Sequence, residues 1–154
     1  LSAALRTTDG KLLAEVGDHQ RNWETGAQSA DSRVHVPIHA DDKPWGKVVT
    51  YALNQPSSVR VITVEPGQET SVHYHQMRDE MWVVLDPGLS VQIGNRQVEA
   101  SSGEEFMVSA ETTHRIANPG TTRGRVLEIA YGYTTEDDTL RLQDDYGRPL
   151  EPDW

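Results

Sequence analysis

From Lys43 onward the chain alternates short apolar runs with turn signals at intervals of about ten residues, the spacing of a β-sandwich or barrel. The runs are Val59–Val64, Ser71–His75, Met81–Leu85, Leu89–Ile93, Gln97–Ala100, Phe106–Ser109, His114–Ala117 and Val126–Tyr131. Breaks fall at Pro66-Gly67, Asp86-Pro87-Gly88, Gly94-Asn95, Ser102-Gly103 and Pro119-Gly120. Gly94-Asn95, between Val91-x-Ile93 and Val98-x-Ala100, predicts a tight two-residue hairpin. About eight antiparallel strands can close as a double-sheet jelly roll, which leaves few open edges. The expected class is therefore all-β. The acidic tail from Glu136 to Trp154 is expected to include a helical turn near Leu140–Asp144. Trp45 and Trp82 are expected in the core.

Residues 1–42 differ in texture: they are polar and weakly patterned, with one short amphipathic piece around Leu12–Val16. Leaving Trp23, Val34, Val36 and Ile38 in water would be costly, so a partly ordered arm is expected ahead of a domain at 43–154. Val34, Val36 and Ile38 alternate with His35 and Pro37 as a strand would.

A length of 154 residues suits one domain, and 12 Gly with 8 Pro suit many turns. The net charge of −10 repels polyanions, which argues against a nucleic acid or an anionic membrane as partner. A small anion could still bind where a few cations and a metal reverse the field locally. No apolar run approaches the roughly 18 to 20 residues that span a bilayer. The opening LSAALRTTDG lacks the charged start and apolar stretch of a secretion signal, and the absence of Cys removes disulfides and thiolate metal sites. A cytoplasmic setting is the expectation.

The chemistry concentrates in His73-x-His75. Residues two apart on a strand face the same side, and a short turn over Gln76–Asp79 then presents Glu80 on the next strand, so one hairpin is expected to supply three ligands. Six His in a chain this long give such a pair by chance roughly one time in five, so solvated histidines on an edge strand are the alternative. The wider spacing favours a metal: Gly67, His73, His75 and Glu80 are followed much later by Gly103, His114 and Asn118. Imidazoles with one carboxylate suit one divalent ion, Zn first, with Fe, Mn, Co or Ni possible. Four protein ligands would leave positions open for substrate. His19, His35 and His39 lie outside this pattern.

These residues resemble the cupin superfamily, whose motifs are G-x5-H-x-H-x3,4-E-x6-G and G-x5-P-x-G-x2-H-x3-N. The gap from Glu80 to Gly88 is one residue longer than the first motif, and Ser109 and Glu111 stand where the second has Pro and Gly. Lys43-Pro44-Trp45-Gly46, the Ser71, His75, Arg78, Glu80, Trp82 block, His114-Arg115 with Asn118-Pro119-Gly120, and the ending from Gly132-Tyr133 through Glu136-Asp137-Asp138, Arg141, Asp145 and Tyr146-Gly147-Arg148 further resemble the cupin domain of type II mannose-6-phosphate isomerases. His73, Lys43 and Ala130 depart from that family, which usually has Gln, Arg and Gln there. No guanylyltransferase nucleotide loop is seen. The resemblance implies a cupin double-stranded β-helix with an N-terminal arm, a homodimer, and metal-dependent isomerisation of mannose 6-phosphate and fructose 6-phosphate or a similar sugar phosphate.

On that reading His73, His75, Glu80 and His114 hold the metal, and Lys43, Arg78, Arg141 and Arg148 are substrate-binding candidates, Arg148 also catalytic. Glu128 is the candidate base, on a strand where it either faces inward, desolvated, or outward, solvated. Arg115 is a further phosphate candidate, while Asp137-Asp138 and Asp144-Asp145 read as solvated turns rather than a cation site. The rivals are an Fe-dependent dioxygenase and a non-catalytic sugar-binding cupin.

Overall fold

The computed structural model describes residues 4–6, 12–15 and 38–151. Among the described residues there are thirteen strands, β1 (Ala4–Arg6), β2 (Leu12–Glu15), β3 (His39–Lys43), β4 (Gly46–Thr50), β5 (Ser57–Val64), β6 (Val72–Tyr74), β7 (Arg78–Val84), β8 (Leu89–Ile93), β9 (Arg96–Ala100), β10 (Glu105–Val108), β11 (His114–Ala117), β12 (Gly124–Gly132) and β13 (Leu140–Gln143), with one 3-10 turn at Glu136–Asp138. Chain contacts divide it into two units, Leu1–Ser57 and Ser58–Trp154.

In the first unit, β1 pairs with β2 and β3 pairs with β4, both antiparallel. The amphipathic piece near Leu12 is thus a strand. Trp23, Val34, Val36, His19 and His35 lie outside the described residues. Trp45, expected in the core, is instead 74% exposed. It occupies the two-residue link between the paired Lys43 and Gly46, a position that a tight hairpin turns toward solvent.

The second unit is built from a four-stranded sheet, β10-β7-β12-β5, and a five-stranded sheet, β13-β6-β11-β8-β9. This is the cupin double-stranded β-helix, nearly all-β as the alternating runs require. Strand alternation puts Val64, Trp82, Val84, Leu89, Val91, Ala100, Phe106, Val108, Ile116 and Val126 into one buried cluster. The Gly94-Asn95 hairpin forms as expected, with Ile93 opposite Arg96 and Gly94 at φ 55°, the first-position glycine conformation of a primed turn. The helical turn lies earlier than expected, at Glu136–Asp138. Leu140–Gln143 instead extends as β13, because Leu140 and Arg141 pair with Tyr74 and His73 on the otherwise open edge of β6.

Asn118 shows how the motifs hold the barrel. Its side-chain amide donates to the carbonyls of Val64 (2.9 Å) and Thr122 (2.8 Å) and accepts from the amide of Gly120 (3.0 Å). Its backbone exchanges hydrogen bonds with Gly67 and Gln68, each 2.8 Å. Gly67 adopts φ 72°, so glycine there is a backbone requirement. The result clamps the start of the strand that carries His73 to the end of the strand that carries His114.

Candidate metal centre

Along β7 the inward residues run Glu80, Trp82, Val84, and along β11 His114, Ile116, so each strand passes from polar to apolar within two positions. The polar ends converge. His114 lies directly opposite His73 in the ladder, and His75 follows β6 immediately. Imidazole nitrogens of His73, His75 and His114 all lie within 4.8 Å of one another. Glu80 faces them, with Oε1 3.1 Å from His75 Nε2 and Oε2 3.8 Å from His114 Nε2. The expected hairpin is in fact a corner: β6 and β7 belong to different sheets. Only residues 75–77 link them, and Glu80 is the third residue of β7 rather than its first. Crossing between sheets lets the carboxylate confront the imidazoles instead of lying beside them.

Each imidazole is oriented by a backbone carbonyl. Nδ1 of His73 donates to Ser71 O (2.9 Å), that of His75 to Asp138 O (2.7 Å) and that of His114 to Thr112 O (2.8 Å). A neutral ring that donates through Nδ1 keeps its Nε2 lone pair free. Burial depresses the pKa of His73 to about 3 and that of His114 to about 4, so both are neutral at physiological pH. Burial pushes the Glu80 carboxyl up, but the hydrogen bond and charge of His75, with His114 and Arg78, hold it well below the ordinary carboxylate range. His75 Nε2 and Glu80 Oε1 lie 3.1 Å apart, and the Arg78 guanidinium reaches both. Buried His114 Nε2 has no hydrogen-bond partner. The donor set, neutral imidazole with carboxylate, fits a divalent metal.

Arg78 and Asp138 brace this cluster, and both are buried. Arg78 Nε donates to Glu80 Oε1 (2.9 Å), Nη2 to His75 Nε2 (3.0 Å) and Nη1 to Asp138 Oδ2 (3.4 Å). Asp138 Oδ1 accepts from the amides of Gln76 (2.9 Å) and Met77 (3.2 Å), closing the corner between the sheets. Asp138, expected in a solvated turn, is therefore a buried cap. Trp82 donates through Nε1 to Glu80 Oε2 (3.1 Å), and its ring sits edge-on to His114 at 5.3 Å, as a core residue.

The structure separates the remaining candidates. Glu128 lies opposite Trp82, a diagonal neighbour of Glu80 on the inner face, and its side chain is only 5% exposed. Burial and the charge of Glu80 raise its pKa, while Arg60, whose Nε donates to Glu128 Oε1 at 2.8 Å, opposes the rise. Arg60 was not singled out by sequence reasoning, although it shares the two-residue phase of inward Ile62 and Val64. Arg141 is the cross-strand neighbour of His73 and has a buried Nε with no hydrogen-bond partner. Arg148 is engaged elsewhere, with Asp144 at 2.9 Å through Nε and over the Tyr146 ring at 5.4 Å. Arg115 pairs with Glu69 at 2.9 Å. Lys43 belongs to the first unit, 3.8 Å from Asp41, and His39 also pairs with Asp41, at 2.8 Å.

Comparison with known proteins places this geometry in context. A family model described as mannose-6-phosphate isomerase C-terminal matches residues 27–144. The alginate biosynthesis protein AlgA of Pseudomonas aeruginosa is 32% identical over 124 residues, covering 80% of this chain and 25% of AlgA. The mannose-1-phosphate guanylyltransferase ManC of Salmonella typhimurium is 34% identical over 149 residues, 94% of this chain and 31% of ManC. The chain thus spans between a quarter and a third of the length of these curated relatives. Among solved structures, the capsular polysaccharide assembling protein CapF of Staphylococcus aureus superposes with a TM-score of 0.51 at 18% identity, over 79% of this chain and 35% of CapF, a likeness of fold. Among the described residues, no helix is long and apolar enough to cross a membrane.

Proposed function

The chain belongs to the mannose-6-phosphate isomerase C-terminal family, and from that premise we propose that it interconverts an aldose phosphate and its ketose, of the mannose 6-phosphate and fructose 6-phosphate type. The observation that carries this reading is the convergence of His73, His75, His114 and Glu80 beside a second inward carboxyl, Glu128, on the same inner face. His73, His75, Glu80 and His114 would hold one divalent ion. That ion, when bound, supplies Lewis-acid polarisation of the oxygens at C1 and C2 of the sugar.

Glu128 has the environment of a general base: buried, and pushed above the ordinary carboxylate range by burial and by Glu80. It would take the proton from C2 of the aldose and return it to C1, so that no net proton is gained or lost. Trp82 and the apolar cluster behind the ligands exclude water from the closed end of the barrel. Arg141, one strand from His73, is placed to orient the substrate's anionic group. Arg148 would have to leave Asp144 to share that task.

The same donor set suits Fe with O2, so the assay must separate the two chemistries. Purified protein is supplied with mannose 6-phosphate, and fructose 6-phosphate is detected through a coupled enzyme, with metal present or chelated and with oxygen present or removed. Turnover that needs metal, ignores oxygen and falls about a hundredfold or more in Glu128→Gln supports the proposal. Absence of turnover on hexose and pentose phosphates in metal-restored protein, or consumption of oxygen, overturns it.

A further inference from the structure

The cations of the barrel's inner face are not idle in this structure, and the groups that occupy them are revealing. Arg60 reaches inward from β5 with its side chain 42% exposed, and places Nε and Nη2 on the single oxygen Oε1 of Glu128, whose side chain is nearly sealed from solvent. The guanidinium therefore bridges solvent and the buried carboxyl. Arg141, from the other sheet, stands in line with His73 and His114 across the ladder. Its Nη2 lies 3.7 Å from Glu136 Oε2, and its buried Nε is unpartnered. Glu136 also acts on Arg60 through its charge. Two arginines, one from each sheet, thus flank the inner face, Arg60 beside Glu128 and Arg141 beside His73, and Arg141 is held by a carboxylate on the 3-10 turn that joins β12 to β13.

That carboxylate is a weak occupant. The Glu136 side chain is 80% exposed, and an ion pair at 3.7 Å to a carboxylate so open to water is worth little, although Arg141 itself is largely covered. A phosphate monoester carries up to two charges and three terminal oxygens, and suits guanidinium groups better than one carboxylate oxygen does. Arg60 spends two donors on one oxygen of Glu128, a geometry that an incoming anion can take over.

We propose that Arg60 is a specificity-determining residue: it exchanges Glu128 for the phosphate of the substrate and, with Arg141, clamps that phosphate at the open side of the metal centre. Binding of the correct substrate then frees Glu128 from its counter-ion at the moment it is needed as a base. An unphosphorylated sugar leaves Arg60 on Glu128 and the base held. The identity of the anion rests on the isomerase reading, whereas its place rests on the two arginines alone.

The test uses the full chain loaded with zinc and titrated calorimetrically with mannose 6-phosphate, mannose and inorganic phosphate. Arg60→Met should weaken mannose 6-phosphate and inorganic phosphate roughly ten- to a hundredfold, leaving mannose and zinc content unchanged, and Arg60→Lys should restore part of the loss. Because Arg60→Met also strands a buried carboxylate, a second variant is needed. Glu128→Gln keeps Arg60 and removes its competitor, so it should bind inorganic phosphate several-fold more tightly than wild type while turnover is lost. Phosphate affinity that is unchanged in both variants, or weaker in Glu128→Gln, overturns the proposal. If phosphate binding depends on Arg60 but no sugar phosphate turns over, the isomerase reading fails and the anion clamp stands. Turnover in wild type with phosphate binding indifferent to Arg60 gives the reverse.

Discussion

Glu111 holds a left-handed backbone, φ 65°, in the turn that delivers His114, and its amide donates to the carbonyl of His75 at 2.6 Å. Related cupin motifs place glycine at this position, and the turn here keeps the glycine conformation with a side chain in place. The strain of a Cβ in that region is about 1 kcal/mol. Glu111→Gly should therefore raise stability by up to about that amount, seen as a higher denaturant midpoint at unchanged slope, although glycine's extra unfolded-state entropy offsets part of the gain. A lower midpoint would show that the Glu111 side chain contributes more than its backbone costs. Among individual residues, the four proposed ligands were legible because their spacing is tied to strand period and turn length. Arg60 and Asp138 were not. A charged residue is assigned to solvent by default, and only tertiary pairing reveals that Arg60 reaches the buried Glu128 and that Asp138 is itself buried against the Gln76 and Met77 amides.

The strands of the barrel followed the alternating pattern closely, Leu89–Ile93 and His114–Ala117 to the residue. What the pattern does not carry is which sheet each strand joins, so the β6–β7 link looked like a hairpin and proved to be a corner. Likewise Leu140–Gln143 is too short for periodicity to separate strand from helix, and its pairing to β6 decided the matter. The corner depends on a third element. Asp138, from the 3-10 turn, holds the Gln76 and Met77 amides with its carboxylate and His75 Nδ1 with its carbonyl. Asp138→Ala should strip the acceptor from both amides and a counter-charge from Arg78, lowering the melting temperature by several degrees and metal affinity about ten- to a hundredfold. Asp138→Asn, which keeps one oxygen acceptor, should lie between. Equal metal affinity in Asp138→Ala and wild type would mean that the corner holds His75 without this cap.

At the scale of the whole molecule, a net charge of −10 coexists with a proposed anionic substrate. Screening confines surface repulsion to about 8 Å at physiological salt, so cations placed beside the centre, Arg60 and Arg141, govern what binds there. Two buried imidazoles, a third half-buried one and a buried carboxylate would be a costly group to assemble without a purpose: two of the rings are kept neutral, and His114 Nε2 is left unpaired. The account therefore stands or falls on the metal. Protein dialysed against zinc and then against metal-free buffer is analysed for elemental content, as wild type, His75→Ala, His114→Ala and Arg60→Met. The account predicts about one divalent ion per chain in wild type and Arg60→Met, with occupancy sharply reduced in the two histidine variants. Full occupancy in both histidine variants, or none in the wild type, would contradict it.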